Sequence, residues 1–168
     1  YKRQVVEICH EMMIPSGMGE KLQRQREMCI DPYTRVANRS KELVPMEVKT
    51  VLTLEKSGKG LHVATTICNQ AKDHRVRVVM PTGLNTSTHL ADSAFEVVKR
   101  NNRHNDTWTN PCGCERQQCF AAMEDETNGL LVANRGLYEY EVLADEENAI
   151  AVTLLRSVAE MGDLSLIH

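Results

Sequence analysis

The chain has 168 residues, of which 42% are hydrophobic and 26% charged, and its net charge is −3. This composition is typical of a globular protein that can build its own core, and we predict one domain spanning residues 1–168. The interspersed charges exclude a strongly cationic nucleic-acid surface, and no apolar run approaches the ~20 residues that cross a bilayer. We therefore expect neither a nucleic-acid nor a membrane partner.

The first half of the chain is predicted to be mainly β-sheet. Lys2–Ile14 is rich in Val and Ile and is strand-like, whereas Gly19–Arg39 is polar and mixed, which predicts a long connection with one or two helical turns. From Met46 to Glu55 apolar and polar residues alternate, which is the pattern of a half-buried strand. The glycines of Lys56–Gly60 favour a turn, and alternation resumes over Leu61–Ile67, so these two strands predict a hairpin.

The second half contains further strand patterns. Val76, Val78 and Met80 alternate with outward-facing Arg75 and Arg77. Further strands are predicted at the apolar or alternating segments Leu130–Ala133, Tyr138–Val142 and Ala149–Leu155. Several strands with frequent turns, and no strand–helix alternation, predict an all-β, antiparallel β-sandwich.

Two segments give no clear pattern. The residues His89 to Arg100 fit a helix through Leu90, Ala94, Val97 and Val98, but they also fit a strand. Asn101–Gln118 has no periodicity and contains the single tryptophan, Trp108. A loop of this length in a compact domain is usually functional or mobile.

The six cysteines are scattered along the chain, which favours free thiols in a reducing cytoplasm, although three disulfides remain an alternative. Cys112, Cys114 and Cys119 form a cluster close to His104 in the sequence. The single residue between Cys112 and Cys114 is shorter than the spacing of structural zinc sites, and a fourth ligand would be needed. We therefore predict no metal site in this chain.

No catalytic motif stands out. A glycosidase needs a flanking pair of carboxylates, and the candidates are Asp92 with Glu96, or the run Glu124–Glu126, but neither has the pattern of a catalytic pair. His89 lies in a stretch rich in Gly, Thr and Ser, which suggests an exposed loop position. We predict no catalytic residue in this chain.

A set of blocks in fixed order nevertheless resembles the C-terminal region of family 38 glycoside hydrolases, most closely the bacterial branch with mannosylglycerate hydrolases and related α-mannosidases. The resemblance covers roughly Met46 to Val158. The blocks are Asn69–Val78, Pro81–Leu84, Ala91–Asp92, Phe95–Val98, Arg116–Gln118, Gly129–Val142 and Ile150–Val158.

The resemblance implies that the catalytic groups belong to a different domain from the one in this chain. Family 38 enzymes are retaining, exo-acting α-mannosidases whose aspartate nucleophile and zinc ligands belong to an N-terminal α/β barrel, followed by a helical bundle and β-sandwich domains. This chain matches the sandwich alone, so we expect a fragment of a larger enzyme whose partners are the barrel of the same protein and an α-mannoside. Zinc is expected in the barrel and not in this chain.

The resemblance also suggests where the sandwich contacts substrate. In the family, a basic stretch after the strand that corresponds to Phe95–Val98 approaches the active site. Here Arg100 and Asn101 occupy that stretch, and the planar fork of arginine suits sugar hydroxyls. Trp108 is a further candidate, through stacking on a sugar ring. The alternatives are an exposed charged strand end for Arg100 and a loop anchor for Trp108.

Two other functions remain open at this point. The chain could act alone as a carbohydrate-binding module, or it could be a structural or oligomerisation domain. The sequence determines neither the sugar linkage that the parent enzyme prefers nor the oligomeric state.

Overall fold

The computed structural model describes residues 3–31, 34–56, 58–103, 107, 113–144 and 147–158. These residues form two compact units, one within Tyr1–His74 and Ser157–His168 and the other within Arg75–Arg156. One helix, α1, covers Glu20–Glu27. The strands are β1 (Arg3–Pro15), β2 (Leu43–Glu55), β3 (His62–Cys68), β4 (His74–Pro81), β5 (Thr88–Ser93), β6 (Glu96–Asn101), β7 (Cys114–Arg116), β8 (Phe120–Glu124), β9 (Gly129–Ala133), β10 (Glu139–Leu143) and β11 (Ala149–Ser157).

The first unit contains a three-stranded antiparallel sheet in the order β1-β2-β3. The predicted hairpin of β2 and β3 is confirmed, and β2 begins at Leu43 because its first residues pair with the end of β1. The predicted polar connection between β1 and β2 contains α1, which makes about two turns. Arg39 closes this connection by donating hydrogen bonds to the backbone oxygens of Pro15, Lys72 and Asp73.

The second unit is a β-sandwich, as predicted. Its two four-stranded sheets have the orders β4-β11-β10-β7 and β6-β5-β8-β9. The first sheet contributes Tyr140, Ile150 and Val152 to a shared core, and the second contributes Ala91 and Met123; all five are at most 1% exposed. Each large apolar side chain buried in this way stabilises the fold by roughly 1.5–3 kcal/mol. The prediction of a single domain over 1–168 stays a prediction.

The helical interpretation of the segment from His89 to Arg100 is wrong. The segment is an antiparallel hairpin of β5 and β6, joined by the two-residue turn Ala94–Phe95. The inward positions of β5 hold Ala91 and His89, which are not the large apolar residues that make a strand pattern visible. Strand β8 was missed for a related reason, since only one of its two buried inward residues, Met123, is large, and the other, Ala121, is small.

Candidate functional site

Arg100 bridges the two sheets of the sandwich at one open side. It lies on edge strand β6, opposite His89 of β5, on the face that turns toward the core. Its Nη1 lies 2.8 Å from three acceptors: the backbone oxygen of Arg116, the Tyr140 hydroxyl and Glu115 Oε2. Glu115 and Arg116 belong to β7, the edge strand of the opposite sheet. The side chain is 28% exposed, so the guanidinium is held at the rim and not in the interior.

Tyr140 is the centre of the polar network behind Arg100. The residue is completely buried; its hydroxyl accepts from Arg100, and its single proton lies between two acceptors, Glu115 Oε2 at 3.0 Å and His89 Nε2 at 2.8 Å. Burial raises the pKa of the Tyr140 hydroxyl, and the charge of Glu115 adds to this rise, while Arg100 opposes it. The hydroxyl is therefore held in its neutral form over a wide pH range.

His89 extends the network into the core. It is 2% exposed, so the expectation of an exposed loop histidine is wrong: the residue lies within β5 on the core face. Its Nε2 is 2.8 Å from the Tyr140 hydroxyl, and its Nδ1 is 3.0 Å from Asn102 Oδ1. The amide nitrogen of Asn102 donates to the backbone oxygen of Thr86, so Oδ1 is left to accept from His89 Nδ1.

Asn101 lies away from Arg100, because neighbouring positions of a strand project to opposite faces of the sheet. Asn101 is exposed and lines a polar groove of about 570 Å³ together with residues such as Asn85 and Ser87. Asn148 (φ +47°) shapes the groove by donating to the backbone oxygens of Leu84 and Thr86. The structure thus separates the two candidate residues Arg100 and Asn101, and Trp108 lies outside the described residues.

A second charged cluster lies on the outer face of the β4-β11-β10-β7 sheet. The sequence did not indicate that its residues come together. Glu139 accepts from Thr153 (2.7 Å), Arg75 (3.1 Å) and Arg156 (2.7 Å). Burial alone would raise the pKa of the Glu139 carboxyl, but the three donors outweigh it and lower that pKa. Alternating Glu and Arg residues on strands that share a face produce this arrangement.

Replacing Glu139 by Gln is expected to lower the free energy of unfolding by about 1–2 kcal/mol at pH 7, because charge-assisted hydrogen bonds are lost. Since folding lowers this pKa, the stabilisation is present above the ordinary value of 4.5 and is lost as the pH falls through the lower folded value. Urea unfolding at several pH values should show the gap between wild type and E139Q closing below pH 4.5. The control is Glu96→Gln, an exposed carboxylate on β6; equal stabilities of the two variants at pH 7 would contradict the prediction.

The other sequence candidates have local structural tasks. Asp92 Oδ2 accepts from the backbone N–H of Cys119 over 3.1 Å. Asp125 Oδ1 accepts from the backbone N–H groups of Thr127 and Asn128, which lower the pKa of this carboxyl and fix the turn before β9.

The described residues do not offer a metal centre. Among them no three His, Cys, Asp or Glu side chains come together in a group that could hold a metal ion. Cys112 and His104 lie outside the described residues, so the cysteine cluster is seen only at Cys114 and Cys119. Outside that cluster, Cys9, Cys29 and Cys68 are free thiols, as is Cys119, which rules out the three-disulfide alternative.

Glu115 is the functional-site residue that sequence reasoning missed. It stands within the cysteine cluster, between Cys114 and Cys119, where no alternation indicated which way its side chain faces. In the part of the chain that the structure describes, no helix is long and apolar enough to cross a membrane.

Comparisons with known proteins agree with this architecture. Residues 21–160 match the family described as the glycosyl hydrolases family 38 C-terminal domain, so the match begins earlier than the predicted Met46. A protein of Halalkalibacterium halodurans named "Putative mannosylglycerate hydrolase" is 41% identical over 163 residues, which are 97% of this chain and 18% of that protein.

Solved structures give the same result. An α-mannosidase from Enterococcus faecalis is 43% identical, with a TM-score of 0.90 over 96% of this chain and 18% of its own. A family 38 glycosyl hydrolase from Enterococcus faecalis is 42% identical, with a TM-score of 0.85 and the same coverage. The chain therefore spans about a fifth of the length of these relatives. It belongs to glycosyl hydrolase family 38 and corresponds to the C-terminal domain of that family.

Proposed function

We propose that this chain is the non-catalytic C-terminal sandwich of an α-mannosidase, in which it supports the active site that hydrolyses terminal α-mannosides. The observation that carries the proposal is the match of nearly the whole chain to 18% of an α-mannosidase. In that relative the matched segment is one part of a much longer polypeptide, which leaves room for a separate catalytic domain.

The catalytic groups are assigned to that other part. By family resemblance, an aspartate nucleophile and a zinc ion in an N-terminal α/β barrel perform a retaining hydrolysis. Among the described residues of this chain, no three His, Cys, Asp or Glu side chains form a group that could hold a metal ion. No step of the reaction is therefore assigned to them.

Arg100 is the residue of this domain that we propose contacts the sugar. Its Nη1 is occupied by three acceptors, whereas Nε and Nη2 have no hydrogen-bond partner among the described residues. A guanidinium fixed at one nitrogen keeps the remaining N–H groups in a defined plane, which lowers the entropic cost of binding a hydroxyl pair. Asn101 projects to the other face, so we propose it for a contact with a separate part of the ligand.

The isolated chain is expected to show no hydrolysis of 4-nitrophenyl α-mannoside under conditions in which the complete enzyme turns it over. Calorimetry with mannose and short α-mannosides should likewise detect no binding to the isolated chain at millimolar sugar. Turnover by the isolated chain would show that catalytic groups lie in this chain and not in another domain. Measurable binding would support a stand-alone carbohydrate-binding module, and a stable oligomer in light scattering, without sugar binding, would support an oligomerisation domain.

We further propose a cytoplasmic location. Four cysteines, Cys9, Cys29, Cys68 and Cys119, are exposed free thiols. Exposed thiols persist in reducing compartments and oxidise in secretory ones, so their number supports this assignment.

A further inference from the structure

Phe95 stands at the tip of the β5–β6 hairpin with nothing covering it. Ser93 and Glu96 form the last pair of the hairpin, so Ala94 and Phe95 alone make the turn. The exposure of Phe95 is 107%, which means that the ring contacts nothing else in its unit. Its backbone has φ +75°, in the left-handed region.

Both properties oppose the choice of phenylalanine at this position. The left-handed region is open to glycine, whereas a bulky side chain is strained there. A fully exposed aromatic ring also gains nothing from the hydrophobic effect within its own domain. A residue that is strained in its backbone and fully exposed, with no stabilising contact inside its own domain, indicates a contact outside that domain.

The outer face of the sheet that carries this hairpin has two exposed apolar side chains. Val97, two residues further along β6, is 53% exposed on the outer face of the sheet, and Leu131 of β9 is 57% exposed. The register aligns Leu131 with Ala122 and Ala122 with Leu90, so apolar side chains occupy this row on three strands, and the row ends at Lys99 on β6. Exposed apolar side chains together with a fully exposed aromatic ring are typical of a protein interface.

We propose that Phe95 anchors this hairpin in an apolar pocket of the remaining part of the family 38 polypeptide. This inference rests on the proposed function. In the relatives the matched segment is 18% of the chain, so more than four fifths of each polypeptide is available to cover the hairpin. A sugar fits this position less well, because Arg100, the proposed sugar contact, lies five residues away along the strand, about 16 Å.

Photo-crosslinking in the complete polypeptide tests the contact directly. With Phe95 replaced by p-benzoylphenylalanine, illumination should crosslink position 95 to a peptide of the same molecule outside this domain, and mass spectrometry would identify that peptide. The same protein unfolded in urea is the control and should lose the crosslink. A crosslink to a second copy, or none in the folded protein, would overturn the proposal.

A glycine variant adds a second test, in which the isolated chain should become more stable and the domain in the complete polypeptide less well protected. Because strain is removed and no contact is lost, Phe95→Gly should raise the Tm of the isolated chain by about 2–4 °C. In the complete polypeptide the same variant should make this domain more susceptible to limited proteolysis. A lower Tm of the isolated chain, or unchanged proteolysis of the complete polypeptide, would refute the anchor. Neither readout depends on turnover, so a failed α-mannosidase assay would reject the proposed function without rejecting this contact.

Discussion

Replacing Tyr140 by Phe is expected to lower the free energy of unfolding by about 2–4 kcal/mol at pH 7. The variant keeps the ring in the core but deletes a hydroxyl that meets Arg100, Glu115 and His89 within 3.0 Å. His89 is buried, so its Nε2 would be left without its closest partner in a site that water does not reach. Each buried polar group left unsatisfied costs about 1–3 kcal/mol, which makes this effect larger than that of an ordinary hydrogen bond.

Urea unfolding followed by circular dichroism measures this effect. The matched control is Tyr138→Phe, two residues earlier, where the side chain is 62% exposed and the change should stay within about 0.5 kcal/mol. Equal stabilities of the two variants would show that the network around Tyr140 contributes nothing. The loss in Y140F should also shrink as the pH rises above 10, since folding raises the Tyr140 pKa above its ordinary value of 10.0 and the wild type loses that stabilisation in alkali.

Replacing Arg100 by Ala in the complete enzyme is expected to lower kcat/KM by about 10–100-fold. A charged hydrogen bond to a ligand contributes about 1.5–3 kcal/mol, and each 1.4 kcal/mol is a factor of ten. Arg100→Lys should restore little of this loss, because an ammonium cannot reproduce the planar fork whose Nη1 is held at the sheet edge. Steady-state kinetics with an aryl α-mannoside measures the effect.

A structural role of Arg100 must be separated from substrate contact, because the residue also joins β6 to β7 through Glu115. Glu115→Gln weakens that connection while leaving the guanidinium in place. If Arg100 contacts substrate, R100A should lose far more kcat/KM than E115Q at comparable loss of stability. Arg135→Ala, an exposed arginine in the turn before β10, should retain the wild-type value. If R100A had the kcat/KM of the wild type, the proposed contact between Arg100 and the sugar would be refuted.

The sequence by itself determined the strands in which apolar residues alternate with polar ones. The segments of β2, β3, β4 and β10 were predicted because a half-buried strand requires this local period of two. It also determined family membership, since ordered blocks of residues survive in relatives and do not depend on knowing the contacts. The connection at Gly19–Arg39, with one or two helical turns, was predicted from its polar and mixed composition.

Only the tertiary structure decided how the candidate residues are grouped. Strand β8 and the core position of His89 were not predicted, because Ala and His at inward positions produce no apolar alternation. Arg100 and Asn101 are adjacent in sequence but face opposite sides of the sheet, while Glu115 and Tyr140 reach Arg100 from the opposite sheet. Those distances depend on strand register and on the packing of two sheets, which join residues far apart in sequence. A local sequence pattern does not predict which of these distant residues come together.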